Sequence, residues 1–288
     1  MNTQFTTRRS FLKRSATVAA LAGAFSPSAL FAAAAKKNIP LGLQLYSVRK
    51  DCEKDLPGVL NKVGKIGYKA VEFAGYYGRD AKTMRKLLDD AGLGCCGTHT
   101  QIDTLLGDKL EKTVEYNKTI GNKYLIVPGL PEKFRKTKED WEKTADLFSE
   151  IAAKVKPQGM VVGYHNHSAE FEMLGGELPW NTFFDRASAD VKIQFDIGNA
   201  MHAKTPGLAT TYLKKFPGRV ASIHAKPYSK SNPNALIGSD ELPWNEIFNL
   251  CENVAGVQWY IVEYELENEP PLISVEKLHK ILCELGKC

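Results

Sequence analysis

The stretch Met160-Val161-Val162-Gly163-Tyr164-His165-Asn166-His167 is an apolar run that ends on imidazoles. Three later runs also end on metal-type ligands: Ile193–Phe195 on Asp196, Val220–Ile223 on His224, and Tyr260–Val262 on Glu263. Apolar runs this short read as buried strands. The steps between them, roughly 27 to 40 residues, are about what one βα unit needs. Helical crossovers lay such strands parallel, and their C-terminal ends then meet at one rim, where barrel enzymes keep their chemistry. The simplest reason to gather His165, Asp196, His224 and Glu263 at one rim is a divalent cation.

Four more runs precede these: Leu41–Tyr46, Ala70–Phe73, Leu93–Thr98 and Tyr124–Val127. Helical spacing follows each of them. Asp55–Ile66 stops at Gly67, Asp80–Ala91 at Gly92 and Asp108–Ile120 at Gly121, while Thr137-x-x-Asp140 opens a helix that runs to Val155. Later helices are expected near Trp180–Arg186, Leu208–Phe216, Trp244–Val254 and Val275–Leu285. Eight βα units in order predict an α/β fold, a single (β/α)8 TIM barrel spanning residues 36–288. No Gly-x-Gly-x-x-Gly follows the first strand and no P-loop motif occurs, which removes the main support for nucleotide folds.

Residues 1–35 differ from the rest. Thr7-Arg8-Arg9-Ser10-Phe11-Leu12-Lys13 is similar to a twin-arginine export signature, followed by a weakly apolar Ala- and Gly-rich stretch. This layout predicts a cleavable signal peptide, too short and too weakly apolar to be a stable membrane anchor. The expected partner is the twin-arginine translocase during export, and the expected location the periplasm. The formal charge of +5 includes Arg8, Arg9, Lys13 and Arg14. Without them it falls to about +1, so nothing argues for a nucleic-acid partner. The six cysteines form no Cys-x-x-Cys pair, which argues against a zinc knuckle. Cys283 can pair with Cys288, and a homo-oligomer is left open.

Other strand ends are polar too. Gln44, Ser47 and Thr98 read as solvated loop residues. Glu72 alternates inward between Val71 and Phe73, and an inward carboxylate is costly unless paired or used. It is a catalytic candidate with His167, Lys226 and Glu263. Lys226, two residues after His224, is either a solvated loop lysine or an acid beside the metal with its pKa pushed down. Tyr46, His99 and Asn199 are substrate-binding candidates. Trp180 and Trp244 each follow a proline and read as packing residues.

The segments Gly42-Leu43-Gln44-Leu45-Tyr46-Ser47-Val48-Arg49, Val71-Glu72-Phe73, Tyr164-His165-Asn166-His167, Phe195-Asp196-Ile197-Gly198-Asn199 and His224-Ala225-Lys226 carry a family resemblance. The chain resembles the xylose-isomerase-like TIM-barrel superfamily, nearest to proteins labelled sugar phosphate isomerase/epimerase. The resemblance implies a divalent metal (manganese, zinc, cobalt, iron or magnesium) on His165, Asp196, His224 and Glu263. It also implies a small-molecule carbohydrate substrate. Ketose 3-epimerases place a glutamate where this chain has His165, which weakens a two-glutamate mechanism. Inosose dehydratases resemble it better in carrying histidines there. Endonuclease IV needs further histidines that this chain lacks.

The expected function is therefore a metal-dependent isomerase or epimerase acting on a keto-sugar through an enediolate. The alternative is a lyase that eliminates from a 3-keto-glycoside or dehydrates a keto-cyclitol. Further rivals are a non-catalytic periplasmic sugar-binding barrel and metal-dependent hydrolysis.

Overall fold

The computed structural model of the chain describes residues 38–203, 208–266 and 268–288. The segment read as an export signal, residues 1–35, lies outside the described residues. Eight parallel strands close a barrel in sequence order: β1 (Leu41–Gln44), β2 (Ala70–Phe73), β3 (Gly94–His99), β4 (Tyr124–Val127), β5 (Val161–His165), β6 (Lys192–Asp196), β7 (Val220–Ala225) and β8 (Trp259–Val262). β1 pairs with β8 to complete the ring.

The helices are α1 (Arg49–Ile66), α2 (Ala81–Ala91), α3 (Lys109–Thr119), α4 (Lys138–Val155), α5 (Pro179–Arg186), α6 (Ile197–Met201), α7 (Leu208–Lys215), α8 (Trp244–Leu250) and α9 (Pro271–Glu284). Among the described residues no helix is long and apolar enough to cross a membrane. The start of α4 has the reciprocal cap its sequence promised: Thr137 Oγ1 accepts from Asp140 N, and Asp140 Oδ2 accepts from Thr137 N.

Three local readings are corrected. The first strand stops at Gln44 rather than Tyr46, because the Gln44 side chain accepts from Tyr46 N and caps a 3-10 turn over Leu45–Val48. α1 begins at Arg49, six residues before the predicted start at Asp55. Asp55 itself is non-helical (φ −152°, ψ 75°); its side chain caps Gly58 N ahead of a second helical segment that contains Pro57. The short α6 was missed; the Asp196 side chain caps it by accepting from Asn199 N.

The core lies between the strands and the helices. On β5, Val162 and Tyr164 face the helical layer, while Gly163 and His165 take the other side of the pleat. Tyr164 packs 5.2 Å from Phe183, which stands edge-on to Phe148 at 5.0 Å, and Trp180 lies 4.4 Å from Phe184. Trp180 and Trp244 are both buried, as packing residues. Cys283 and Cys288 are joined by a disulfide. The other four cysteines are free.

Phe183 fills the space between α4, α5 and β5 with no polar contact. Phe183→Ala is expected to cost about 3–5 kcal/mol through lost burial and a residual cavity. Urea unfolding measures this, and a loss under about 1 kcal/mol would contradict the packing described.

Candidate metal centre

The C-terminal ends of the strands carry two stacked polar layers. Register creates the lower one. Gln44 lies beside Glu72, His165 beside Gln194, and Gln194 beside Ser222 on paired strands. Two register shifts occur in the barrel next to these residues, between Val71 and Glu72 and between Ile193 and Gln194. Such irregularities re-aim side chains near sites.

Glu72 is fully buried. Its Oε2 accepts from Gln44 Nε2 at 2.8 Å and His224 Nε2 at 2.6 Å, and its Oε1 accepts from Gln194 Nε2 at 2.7 Å. His99 Nε2 stands 3.4 Å from Oε2. Burial alone would raise the Glu72 carboxyl's pKa. The facing His99 and His224 rings, with the hydrogen bonds from His224 and Gln194, bring it below the usual value. Gly97 makes room for this carboxylate: a Cβ there would sit 2.4 Å from Glu72 Oε1.

This network assigns the imidazole tautomers. Gln194 gives its NH2 to Glu72 and to Ser222 Oγ, so its Oε1 faces His165 Nδ1 and His99 Nε2, each at 3.0 Å. Both of those nitrogens must donate, which leaves the lone pair of His165 on Nε2. A carboxylate accepts from His224 Nε2, so the upward atom of His224 is Nδ1.

The upper layer is made of these freed atoms. His165 Nε2 lies 4.0 Å from Asp196 Oδ2, and His224 Nδ1 lies 3.4 Å from the same oxygen. His224 Nδ1 also closely approaches Glu263 Oε2. Asp196 Oδ2, His224 Nδ1 and Glu263 Oε2 are all buried without a hydrogen-bond partner. Ligand atoms of Asp196, His224 and Glu263 lie within 4.8 Å of one another, as do those of His99, His165 and His224. Two buried carboxylates and two imidazole nitrogens crowded together fit a divalent cation. A carboxylate holding the far nitrogen of a ligand histidine is the arrangement that orients such rings.

The charges agree. Burial, with the neighbouring His224 and His99, pushes His165 well below the ordinary histidine value, which keeps its imidazole neutral. Burial opposes charge on His224 too, but the Glu263 and Glu72 carboxylates overcome it and raise its pKa well above the ordinary value; a cation held at Nδ1 would take the place of the proton there. Burial would raise Glu263, and His224 and Lys226 instead bring it well below the carboxylate range. The pocket favours positive charge at its centre.

The other predicted residues are arranged around this pocket. Lys226 Nζ lies 3.7 Å from Glu263 Oε1, donates to Asn199 Oδ1 at 3.0 Å and pairs with Glu265. Its pKa is raised rather than pushed down, a correction: burial disfavours the ammonium, but Asp196, Glu263 and Glu265 outweigh it. Asn199 is tied to Lys226 and, through its backbone N–H, to Asp196. His167 is exposed, with its ring 5.1 Å from that of His165. Tyr46 is 42 % exposed, beneath the Arg49 guanidinium at 4.3 Å. Gln44, Ser47 and Thr98 are buried and hydrogen-bonded, not solvated loop residues. Gln194 and Asn166 were overlooked. Asn166 brackets Asp196, accepting from its N–H at 2.8 Å and donating to its carbonyl at 3.0 Å. Gln194 did leave a signal, being two residues before Asp196 and therefore on the same face of the strand.

A closed parallel barrel with its polar cluster on the C-terminal rim has the layout of barrel enzymes. The chain belongs to the xylose isomerase-like TIM barrel family, whose profile matches residues 60–282. It is 22 % identical over 254 residues to the inosose dehydratase of Serratia proteamaculans, covering 75 % of this chain and 83 % of that one. It is 24 % identical over 251 residues to the inosose dehydratase of Erwinia tasmaniensis, covering 74 % and 83 %. Its fold matches a sugar phosphate isomerase/epimerase from Parabacteroides distasonis with a TM-score of 0.73, at 22 % identity over 87 % of this chain and 97 % of that one. It also matches a D-psicose 3-epimerase from Clostridium cellulolyticum with a TM-score of 0.64, at 12 % identity over 87 % and 100 %.

Removing the Glu72 carboxylate strands buried donors on several strands. Glu72→Leu is expected to cost about 3–5 kcal/mol. Denaturant melting against wild type tests this; a near-neutral result would mean the layer does not bear on stability.

Proposed function

We propose that this protein is a divalent-metal-dependent enzyme that removes a proton next to the carbonyl of a polyhydroxy ketone and then expels a β-hydroxyl as water. The observation that carries the reading is a buried cluster of two carboxylates and two imidazoles with the Lys226 ammonium on its flank. His165, Asp196, His224 and Glu263 would hold the ion, which when bound supplies Lewis-acid polarisation of the substrate carbonyl.

The chain's own groups divide the remaining work. Lys226, kept protonated by its carboxylate neighbours, is placed to give a proton to a departing hydroxyl. We assign proton removal from carbon to His167, the exposed imidazole beside His165. Glu72 has both oxygens engaged and is assigned to holding His224, not to moving a proton. Asn199 positions the Lys226 ammonium. The relatives named inosose dehydratase support loss of water as the outcome. The fold neighbours named epimerases support the same first proton transfer. Return of the proton to carbon, giving isomerisation or epimerisation, is the second reading. It is less favoured because a two-faced exchange would use a glutamate where this chain has His165.

The test is elemental analysis of the purified chain with a panel of ketoses and keto-cyclitols in D2O. Asp196→Ala and His224→Ala are expected to lose both bound metal and deuterium incorporation beside the carbonyl. Lys226→Met is expected to keep both while water loss slows by about 10²–10⁴-fold. Unchanged water loss in Lys226→Met would remove the elimination reading, and metal retained by both alanine variants would remove the site.

We also infer that Arg8 and Arg9 direct export of the folded enzyme to the periplasm. Replacing both with Lys is expected to hold the chain in the cytoplasmic fraction; unaltered fractionation would refute export by this route.

A further inference from the structure

At the opposite end of the barrel, beside the starts of β1 and β2, lies a cavity of about 240 Å³ lined by Pro40, Leu41, Gly67, Lys69, His279 and Cys288. It carries a cluster that the rim chemistry does not use. His279 and Cys283 are four residues apart on α9, so their side chains share a face. Beyond the helix, Gly286 takes a left-handed conformation (φ 71°). Gly286 N bonds to Cys283 O at 2.8 Å and Lys287 N to Leu282 O at 2.9 Å, turning the chain back over the last helical turn. That return brings Cys288 to Cys283, with Cα atoms 4.8 Å apart and the sulfurs bonded.

The His279 ring is held from two sides. Tyr68 meets it edge-on at 4.8 Å, and Gly67 lies against its other edge. The Cε1–Nε2 edge of the ring overlies Gly67, where a Cβ would stand 2.9 Å from Cε1 and 3.0 Å from Nε2. Nδ1 lies on the other side of the ring, 3.6 Å from Cys283 Sγ. Gly67 also has a φ of 118°, so glycine is needed there both for the backbone and for the ring.

We propose that His279, Cys283 and Cys288 form a redox-gated binding site for a soft divalent cation of the zinc type, closed as the disulfide and open as the dithiol. Ligand atoms of the three residues lie within 4.8 Å of one another. Two thiolates on one tetrahedral zinc sit about 3.8 Å apart, given Zn–S bonds of about 2.3 Å. Breaking the S–S bond and letting the sulfurs part by a side-chain rotation supplies that spacing.

Opening takes two electrons and two protons from a dithiol reductant, which becomes a disulfide as Cys283 and Cys288 become thiols. Binding of zinc then displaces the two thiol protons to solvent and forms two Zn–S bonds and one Zn–N bond. Two thiolates and a neutral imidazole cancel the charge of the ion. The fourth position faces the cavity and is free for water or a small ligand.

The full chain, as the disulfide and after reduction, is titrated with zinc under anaerobic conditions against a chromophoric chelator. The reduced chain is expected to bind one further equivalent beyond the disulfide form. The rim ligands are the same in both, so their contribution cancels. Cobalt(II) is expected to give a thiolate-to-metal charge-transfer band in the reduced wild type only. Cys283→Ser and Cys288→Ser are each expected to lose the extra equivalent and the band, and His279→Gln to weaken binding while the thiols remain. Equal zinc binding by the reduced and disulfide forms overturns the proposal, as does survival of the band in either serine variant.

Discussion

Glu72 is a carboxylate with no exposed surface, held by hydrogen bonds from Gln44, Gln194 and His224. An unpaired charge there would be untenable, so its neighbours are constrained to be donors. That constraint propagates. Gln194 can satisfy Glu72 only with its NH2, so its oxygen must point at His165 and His99. His224 can satisfy Glu72 only with Nε2–H. The buried charge in the lower layer thereby turns His165 Nε2 and His224 Nδ1 upward into the layer above. Orientation of the upper ligands is a consequence of electrostatics one layer beneath them.

The fold was largely legible because its signals are local. Each strand is an apolar run, and Gly67, Gly92 and Gly121 follow three of the early helices as the αL or close-packed stops that end them. What escaped notice depended on side chains acting on backbone. The early start of α1 was hidden by Asp55 and Pro57, which break the helical period between two segments. α6 is Ile-Gly-Asn-Ala-Met, a sequence with weak helical preference, and it forms where Asp196 caps it.

The site was legible for its charged members and opaque for its amides. A histidine or acid closing an apolar run stands out, whereas Gln44 and Gln194 resemble any polar residue near a loop. Their role arises from strand register: Gln194 meets a Glu72 lying 122 residues away in sequence. Lys226 shows the same limit. Its nearness to His224 could be read from spacing, but the sign of its pKa shift depended on how closely the fold brings Asp196 and Glu263, and then Glu265, around it.

The separation into two layers bears on how such a barrel can diverge. The lower layer is closed in at Gly97, where even a methyl group would strike Glu72, and Glu72 itself is fully buried. The residues open to substrate, such as Tyr46 and His167, hang from loops above. Mutation can therefore rework what the rim recognises while the machinery that presents the ligand atoms is inherited intact.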